Sequence, residues 1–188
     1  MEEYEVTREQ TETTIATNKI FSGKVISLQV DTVLLPDGTE ATRELVKHPG
    51  AAAVIALVDQ KLVVVEQYRK PLEKMQIEIP AGKLDPGEDA QTAAARELEE
   101  ETGYIATELQ LYRVFATSPG FADEWIHLYI AKDVTSGQQQ LDEDEFLNVF
   151  TITLEEAEAY IANGRIGDAK TLLAVLAWKQ YLATGKWQ

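Results

Sequence analysis

The sequence predicts a mixed α/β domain preceded by a small antiparallel β-sheet. Three observations lead there. The first fifty residues are strand-like and rich in Thr, Ile and Val, and two continuous β-branched runs follow them. A strongly capped helix then separates these runs from later strands, and two more helices close the chain. The order strands, helix, strands, helices differs from the regular alternation of a parallel doubly wound sheet. With 188 residues and 45% hydrophobic content, the chain can bury a sizeable core.

Taken in order, residues 12–34 alternate in part between apolar and polar, and Pro36-Asp37-Gly38 supplies a turn. The run ATRELVKH follows, and His48-Pro49-Gly50 ends it. These elements predict a meander over residues 1–48, with the main domain over 49–188. AAAVIALV, the turn Asp59-Gln60 and KLVVVEQY predict a largely buried hairpin. Residues 81–88, AGKLDPGE, read as a loop punctuated by glycine and proline. Asp89 is the expected N-cap of a helix to Thr102, with Gly103 just past its end. Strands are expected at 109–117 and 125–131, then a polar segment SGQQQLDEDE and a short strand FLNVFTI. Thr153 and Glu156 have capping-box spacing for a helix of about ten residues ending near Asn163-Gly164. Asp168 can cap a last helix containing LLAVLAW.

The net charge of −15 argues against a general nucleic-acid surface or an anionic membrane surface, both of which require excess Lys and Arg. An anionic substrate would need local compensation from a metal ion or a few arginines. The absence of cysteine excludes disulfides, zinc–thiolate sites and thiol nucleophiles. The acidic start MEEYEVTREQTETT has no apolar core of a secretory signal, and no apolar run approaches a membrane span. A soluble, cytoplasmic protein is expected.

The stretch RELEEETG, residues 96–103, concentrates negative charge on the predicted helix. Like charges three and four residues apart repel, and glutamates near a helix C-terminus oppose the macrodipole. At about 100° per residue, Ala90, Ala93, Ala94, Glu97, Glu100 and Glu101 share one side, whereas Arg96 and Glu99 point elsewhere. An arbitrary run of three glutamates is usually a solvated helix end. Here the same face begins with small alanines that dock closely on protein. Carboxylates continuing such a face need a countercharge, and hard divalent cations favour oxygen ligands.

The stretch GKLDPGEDAQTAAARELEEETGY resembles the Nudix box: Gly82, five residues, Glu88, seven residues, then Arg96-Glu97-Leu98, Glu100-Glu101 and Gly103-Tyr104. The resemblance implies a Nudix hydrolase with an α/β/α sandwich and a mixed sheet, in which a loop–helix–loop holds Mg²⁺, or Mn²⁺ as a substitute, against a diphosphate. The similarity extends over most of the chain. RELVKHPGAAAVIAL, VVVEQYRKPLE, EIPAGKL, TSPGFADE and DEDEF resemble ADP-ribose pyrophosphatases, and Pro119 lies where that subfamily carries a proline. The implied reaction is hydrolysis of ADP-ribose to AMP and ribose 5-phosphate. Alternatives are another nucleoside diphosphate derivative, or a Nudix-fold sensor that binds a nucleotide without cleaving it. The intact glutamate set argues against the sensor. A homodimer with a swapped N-terminal sheet is implied as well.

Glu97 and Glu101, one helical turn apart, are the first choice as metal ligands. The resemblance adds the carbonyl of Ala81 and supports Glu100, while Arg96 reads as the orienting partner of a box glutamate. Glu88 orients the loop or the shell behind the ligands, and Gly82 lets the backbone pass close to the helix. In LDEDEF, the resemblance makes Glu145 a metal ligand and Glu143 the base that activates water. Arg43 and Arg69 match positions that contact phosphate or ribose, where the arginine fork suits an oxyanion. Glu44, Lys83, Ser118, Gly120 and Glu124 carry over as further substrate contacts. Relatives stack adenine on an aromatic residue just after the glycine that ends the first strand. Here Lys24, Val25 and Ile26 follow Gly23, leaving an aliphatic residue or Phe21 for that role. His48 and His127 are too separated for a metal cluster, and Trp178, Tyr181 and Trp187 are expected in a core or an interface.

Overall fold

The computed structural model describes residues 10–141 and 145–187. The chain forms two compact units. One comprises the chain up to Pro49 together with Ala116–Glu124, and the other Gly50–Phe115 and the chain from Trp125 onward. The segment 116–124, which the sequence division placed in the main domain, therefore belongs with the first unit.

In the first unit, β1 (Thr13–Ser22), β2 (Ser27–Leu34) and β3 (Glu40–Lys47) form an antiparallel meander in that order. Gly23 and Gly38 lie in its two connections, and Gly38 has φ 84°, a conformation open to glycine at no steric cost. Asp31 is buried and accepts from Thr17 Oγ1 at 2.8 Å and Gln29 Nε2 at 2.9 Å. Every residue of β1 is exposed, Ile15, Ile20 and Phe21 by half or more. The 116–124 segment returns alongside β3, where Val46 N–H donates to the Phe121 carbonyl at 2.8 Å.

The second unit layers two sheets between helices. One sheet has the order β8 (Ala81–Lys83), β4 (Ala51–Ile55), β10 (Trp125–Ser136), β9 (Tyr104–Ala116). It is mixed, because β4 runs parallel to β10 and antiparallel to β8. The other sheet joins β11 (Leu147–Ile152), β6 (Lys61–Arg69) and β5 (Leu57–Val58), with β7 (Lys74–Glu78) pairing β6.

Alternate residues of β4 feed opposite layers, as strand geometry requires. Ala51, Ala53 and Ile55 pack with Leu62, Val64 and with Ala174, Val175, Ala177 and Trp178 of α3 (Ala169–Thr184), joined by Ala157 of α2 (Leu154–Ala162). Ala52, Val54 and Ala56 pack with Ala93, Ala94 and Leu98 of α1 (Ala90–Thr102). Helices thus cover both faces, the α/β/α sandwich that the resemblance implied. Among the described residues, no helix is long and apolar enough to cross a membrane.

The helix ends follow from local chemistry. Asp89 caps α1 by accepting from Gln91 and Thr92 N–H, and Gly103 closes it at φ 70°. Thr153 and Glu156 form both bonds of the capping box on α2, and Asp168 accepts from Thr171 N–H on α3.

The expected hairpin needs correction. Asp59 and Gln60, with φ 48° and 62°, do make a two-residue turn, but it joins only the short β5 to β6. The preceding AAAVI run is β4 and belongs to the other sheet. Both runs are buried on both faces, so neither has an alternation that names its partner. That choice lies with β8 and β10, distant in sequence.

Candidate active site

The site is built on α1 and on β8. The small Ala93 and Ala94 and the apolar Leu98 seat α1 on the sheet, all three fully buried, and this draws the adjoining Glu97 and Glu101 inside at 8% and 2% exposure. β8 lies against them. A Cβ on Gly82 would stand 2.0 Å from the Glu97 carboxylate, so no other residue fits without displacing it. Ala81 N–H donates to Glu101 Oε2 at 3.0 Å.

Arg96 does not point away from this face, as helical projection suggested. Its long side chain reaches back along the helix. Nη1 donates to Glu97 Oε1 at 2.8 Å and to Glu100 Oε2 at 2.9 Å. Nε and Nη2 grip both oxygens of Glu88 at 3.0 and 2.9 Å, and Nη2 also reaches the Lys83 carbonyl at 3.2 Å. Glu88 in turn accepts from Asp85 N–H at 3.0 Å, tying the loop to the helix. The α-carbon angle alone misses this, because the five-donor fork lies several bonds beyond the backbone.

The electrostatics follow from burial. Desolvation pushes the Glu97 carboxyl up against the pull of Arg96. Desolvation pushes Glu101 up to about 8, reinforced by the charges of Glu97 and Glu145 and opposed by the Ala81 N–H and by Lys170. The bonds from Glu88 above all, with Glu100 and Glu97, hold the Arg96 guanidinium charged.

The remaining predicted residues lie as follows. Glu145 is exposed, and Glu143 lies outside the described residues. Arg69 does not stand free to meet an anion: its Nε and Nη2 bond the two oxygens of buried Glu78 at 2.6 and 2.7 Å. Lys83 has an exposed side chain. In the first unit, Arg43 Nε bonds Glu12 at 2.9 Å and Glu44 is exposed. The Ser118 carbonyl accepts from Ala122 N–H at 2.9 Å, and Gly120 faces open space. Glu124 accepts from Thr117 Oγ1 and lies 3.7 Å from His48 Nε2. Trp178 is core, and Trp187 stacks on Tyr181 at 4.4 Å.

Two residues at the site's edge drew no notice in the sequence, Glu78 and Lys170. Both are buried and paired to each other. Their signal was present: a lysine in the first turn of a helix opposes the macrodipole, the same kind of anomaly that marked RELEEETG.

What the fold and this helix define together is a Nudix hydrolase. The chain belongs to that family: residues 46–175 match the family model described as NUDIX domain. It is 51% identical over 174 residues to an ADP-ribose pyrophosphatase of Bacillus subtilis (strain 168), covering 91% of this chain and 92% of that one. It is 56% identical over 174 residues to a methanol dehydrogenase activator of Bacillus methanolicus, again covering 91% and 92%. A crystal structure of an ADP compounds hydrolase superposes with a TM-score of 0.82 at 20% identity, over 95% of this chain and 98% of the other, and shares its fold.

Nudix hydrolases generally use a divalent metal. As their side chains stand, no three acidic or histidine residues converge to hold an ion among the described residues. Arg96 bonds both Glu97 and Glu100. The donor set nevertheless fits a hard cation. Glu101 is buried with no salt-bridge partner among the described residues, Glu97 lies one turn away, and the missing Cβ of Gly82 leaves the Glu97 carboxylate room.

Proposed function

We propose that this chain hydrolyses the diphosphate bond of ADP-ribose to AMP and ribose 5-phosphate, with Mg²⁺ as cofactor and Mn²⁺ able to replace it. The observation that carries the reading is the pair Glu97 and Glu101, buried one turn apart on α1 against the backbone of Gly82 and Ala81. The ADP-ribose pyrophosphatase relative at 51% identity supports the substrate. A divalent ion supplies charge neutralisation at the diphosphate and acidifies the attacking water. Glu97 and Glu101 would hold it, with Glu100, Glu145 and the Ala81 carbonyl completing the set.

Arg96 orients Glu97 and Glu100 and ties them to Glu88, so the ligand oxygens face the site together. Glu143 is the proposed base that takes the proton from water. Arg69, Lys83 and, from the first unit, Arg43, Glu44, Ser118, Gly120 and Glu124 are proposed substrate contacts. For Arg69 this requires sharing its guanidinium with Glu78. The wholly exposed β1, with Ile15, Ile20 and Phe21 bare, supports a homodimer built through the N-terminal sheet.

Product analysis with ADP-ribose and Mg²⁺, run beside Glu101→Gln, tests the reaction. AMP and ribose 5-phosphate from the wild type alone are expected. Equal turnover in both proteins, or binding without turnover in the wild type, would sink it. A second reading comes from the relative at 56% identity, which is named a methanol dehydrogenase activator. It predicts that adding this chain raises the rate of a methanol dehydrogenase, and that Glu101→Gln does not.

A further inference from the structure

The segment that carries Ala81 and Gly82 is not held by α1 alone. Immediately before it, Glu78 and Ile79 meet the first turn of α3 from the other side of the sheet. Ile79 N–H donates to Thr171 Oγ1 at 3.0 Å, and both residues are fully buried. Glu78, 2% exposed, is bonded by Arg69 through one edge and by the buried Lys170 ammonium at Oε2. Lys170 also bonds Asp168 Oδ1 at 3.0 Å, the same oxygen that caps α3. On the far side, the Pro80 carbonyl accepts from Val54 N–H at 2.9 Å and Ala81 N–H meets Glu101. Of four consecutive residues, Glu78 and Ile79 are thus pinned by α3, Pro80 by β4 and Ala81 by α1.

Two costs are concentrated at this clamp. A lysine in a first helical turn opposes the macrodipole. A buried ion cluster is often no more stable than an apolar replacement of the same size. An apolar cluster of the same size could serve stability as well, so what the ion cluster adds is the position of the pinned segment: only two residues, Ile79 and Pro80, separate Glu78 from Ala81. A shift of the Glu78 backbone is transmitted directly to the Ala81 and Gly82 backbone that lies against Glu97 and Glu101.

We propose that Lys170 and Thr171 are positioning residues for the metal-binding face, Lys170 by anchoring Glu78 and Thr171 by holding the Ile79 amide. The inference rests on the reading that Glu97 and Glu101 hold a divalent ion. Neither residue touches substrate or ion. They act by fixing where the Ala81–Gly82 backbone lies.

The test titrates Mn²⁺ alone, followed by electron paramagnetic resonance, into the full chain and into Lys170→Met, Lys170→Arg, Thr171→Val and Thr171→Ser. Steady-state kinetics with ADP-ribose and thermal unfolding accompany it. Lys170→Met is expected to weaken Mn²⁺ binding about 10- to 100-fold and lower kcat comparably, with KM for the nucleotide within about threefold. Lys170→Arg and Thr171→Ser are expected to recover most of the loss, and Thr171→Val is not. Should Lys170→Met fail to fold, Glu78→Gln/Lys170→Met removes both buried charges and decides the matter: folded with weakened Mn²⁺ binding supports the proposal. Wild-type Mn²⁺ affinity in either folded variant overturns it, as does a wild-type chain that binds no Mn²⁺. A wild type that binds Mn²⁺ but leaves ADP-ribose intact overturns the proposed substrate instead, and the Mn²⁺ titrations still decide this inference.

Discussion

The Cβ that Gly82 lacks would stand 2.0 Å from the carboxylate of Glu97. Strand and helix approach so closely only because one of them has no side chain there, and the buried carboxylate fills the vacated space. The same strand meets the second buried carboxylate of α1, where Ala81 N–H donates to Glu101 Oε2.

Gly82→Ala should therefore displace either β8 or the Glu97 side chain. Misplacement by about 1 Å can cost about 100-fold in rate, and a loss of at least that size in kcat is expected. Wild-type turnover in Gly82→Ala would show that the contact is incidental.

Arg96 joins three carboxylates that would otherwise repel one another. Lysine keeps the charge but has no fork to grip both oxygens of Glu88 while reaching Glu97 and Glu100. Arg96→Lys should lower kcat by about 10- to 100-fold with little change in KM. Glu88→Gln should produce part of the same loss, and the double variant should lose less than the two singles combined. Strict additivity in that cycle would separate the two residues.

The burial of Glu101 costs stability, because its carboxyl is desolvated with the Ala81 N–H as its one hydrogen-bond donor among the described residues. Glu101→Gln keeps the shape and an acceptor for that N–H but removes the charge. In metal-free buffer it should be more stable than the wild type by about 1–2 kcal/mol, a rise of roughly 3–6 °C in Tm. Differential scanning calorimetry with a chelator present measures this. A lower Tm for Glu101→Gln would show that burying this carboxyl costs the fold nothing.

Glu78 behaves in the opposite way. Burial alone would raise its carboxyl, but Arg69 and Lys170 more than cancel that and hold it down to about 2. The folded pKa lies below the ordinary value of 4.5, so the stabilisation is complete above pH 4.5 and is lost as pH falls from there toward 2. The amount at stake is on the order of 3 kcal/mol. Urea unfolding between pH 5 and about 3 should show a steep loss of stability in the wild type that Glu78→Gln lacks. Parallel curves would remove Glu78 from the acid response.

The helices were legible because their signals are local. Asp89, Thr153 with Glu156, and Asp168 satisfy amide groups two or three residues away, and Gly103 supplies the left-handed residue that ends α1. The Glu97–Glu101 pair was legible for the same reason, since one helical turn places side chains four residues apart on one face whatever the rest of the molecule does. The antiparallel meander of β1 to β3 likewise depends on neighbours in sequence and on turn residues between them.

Pairings between distant segments were not legible. Nothing within AAAVIALV indicates that β4 leaves the expected hairpin to run beside β10, because a strand buried on both faces has no period to identify its partner. Nothing within TSPGFADE places residues 116–124 in the unit of β3. Arg69 read as a free donor until the fold set Glu78 beside it, and Lys170 acquired its role only when α3 met β7. By itself, the sequence determined the helices, their caps, and the carboxylates that share one face of α1, all consequences of interactions within a few residues. Tertiary structure alone decided which strands pair, which cations are already engaged, and what holds the Ala81–Gly82 backbone against Glu97 and Glu101. Those outcomes depend on burial and on contacts between segments up to about ninety residues apart, which no local pattern encodes.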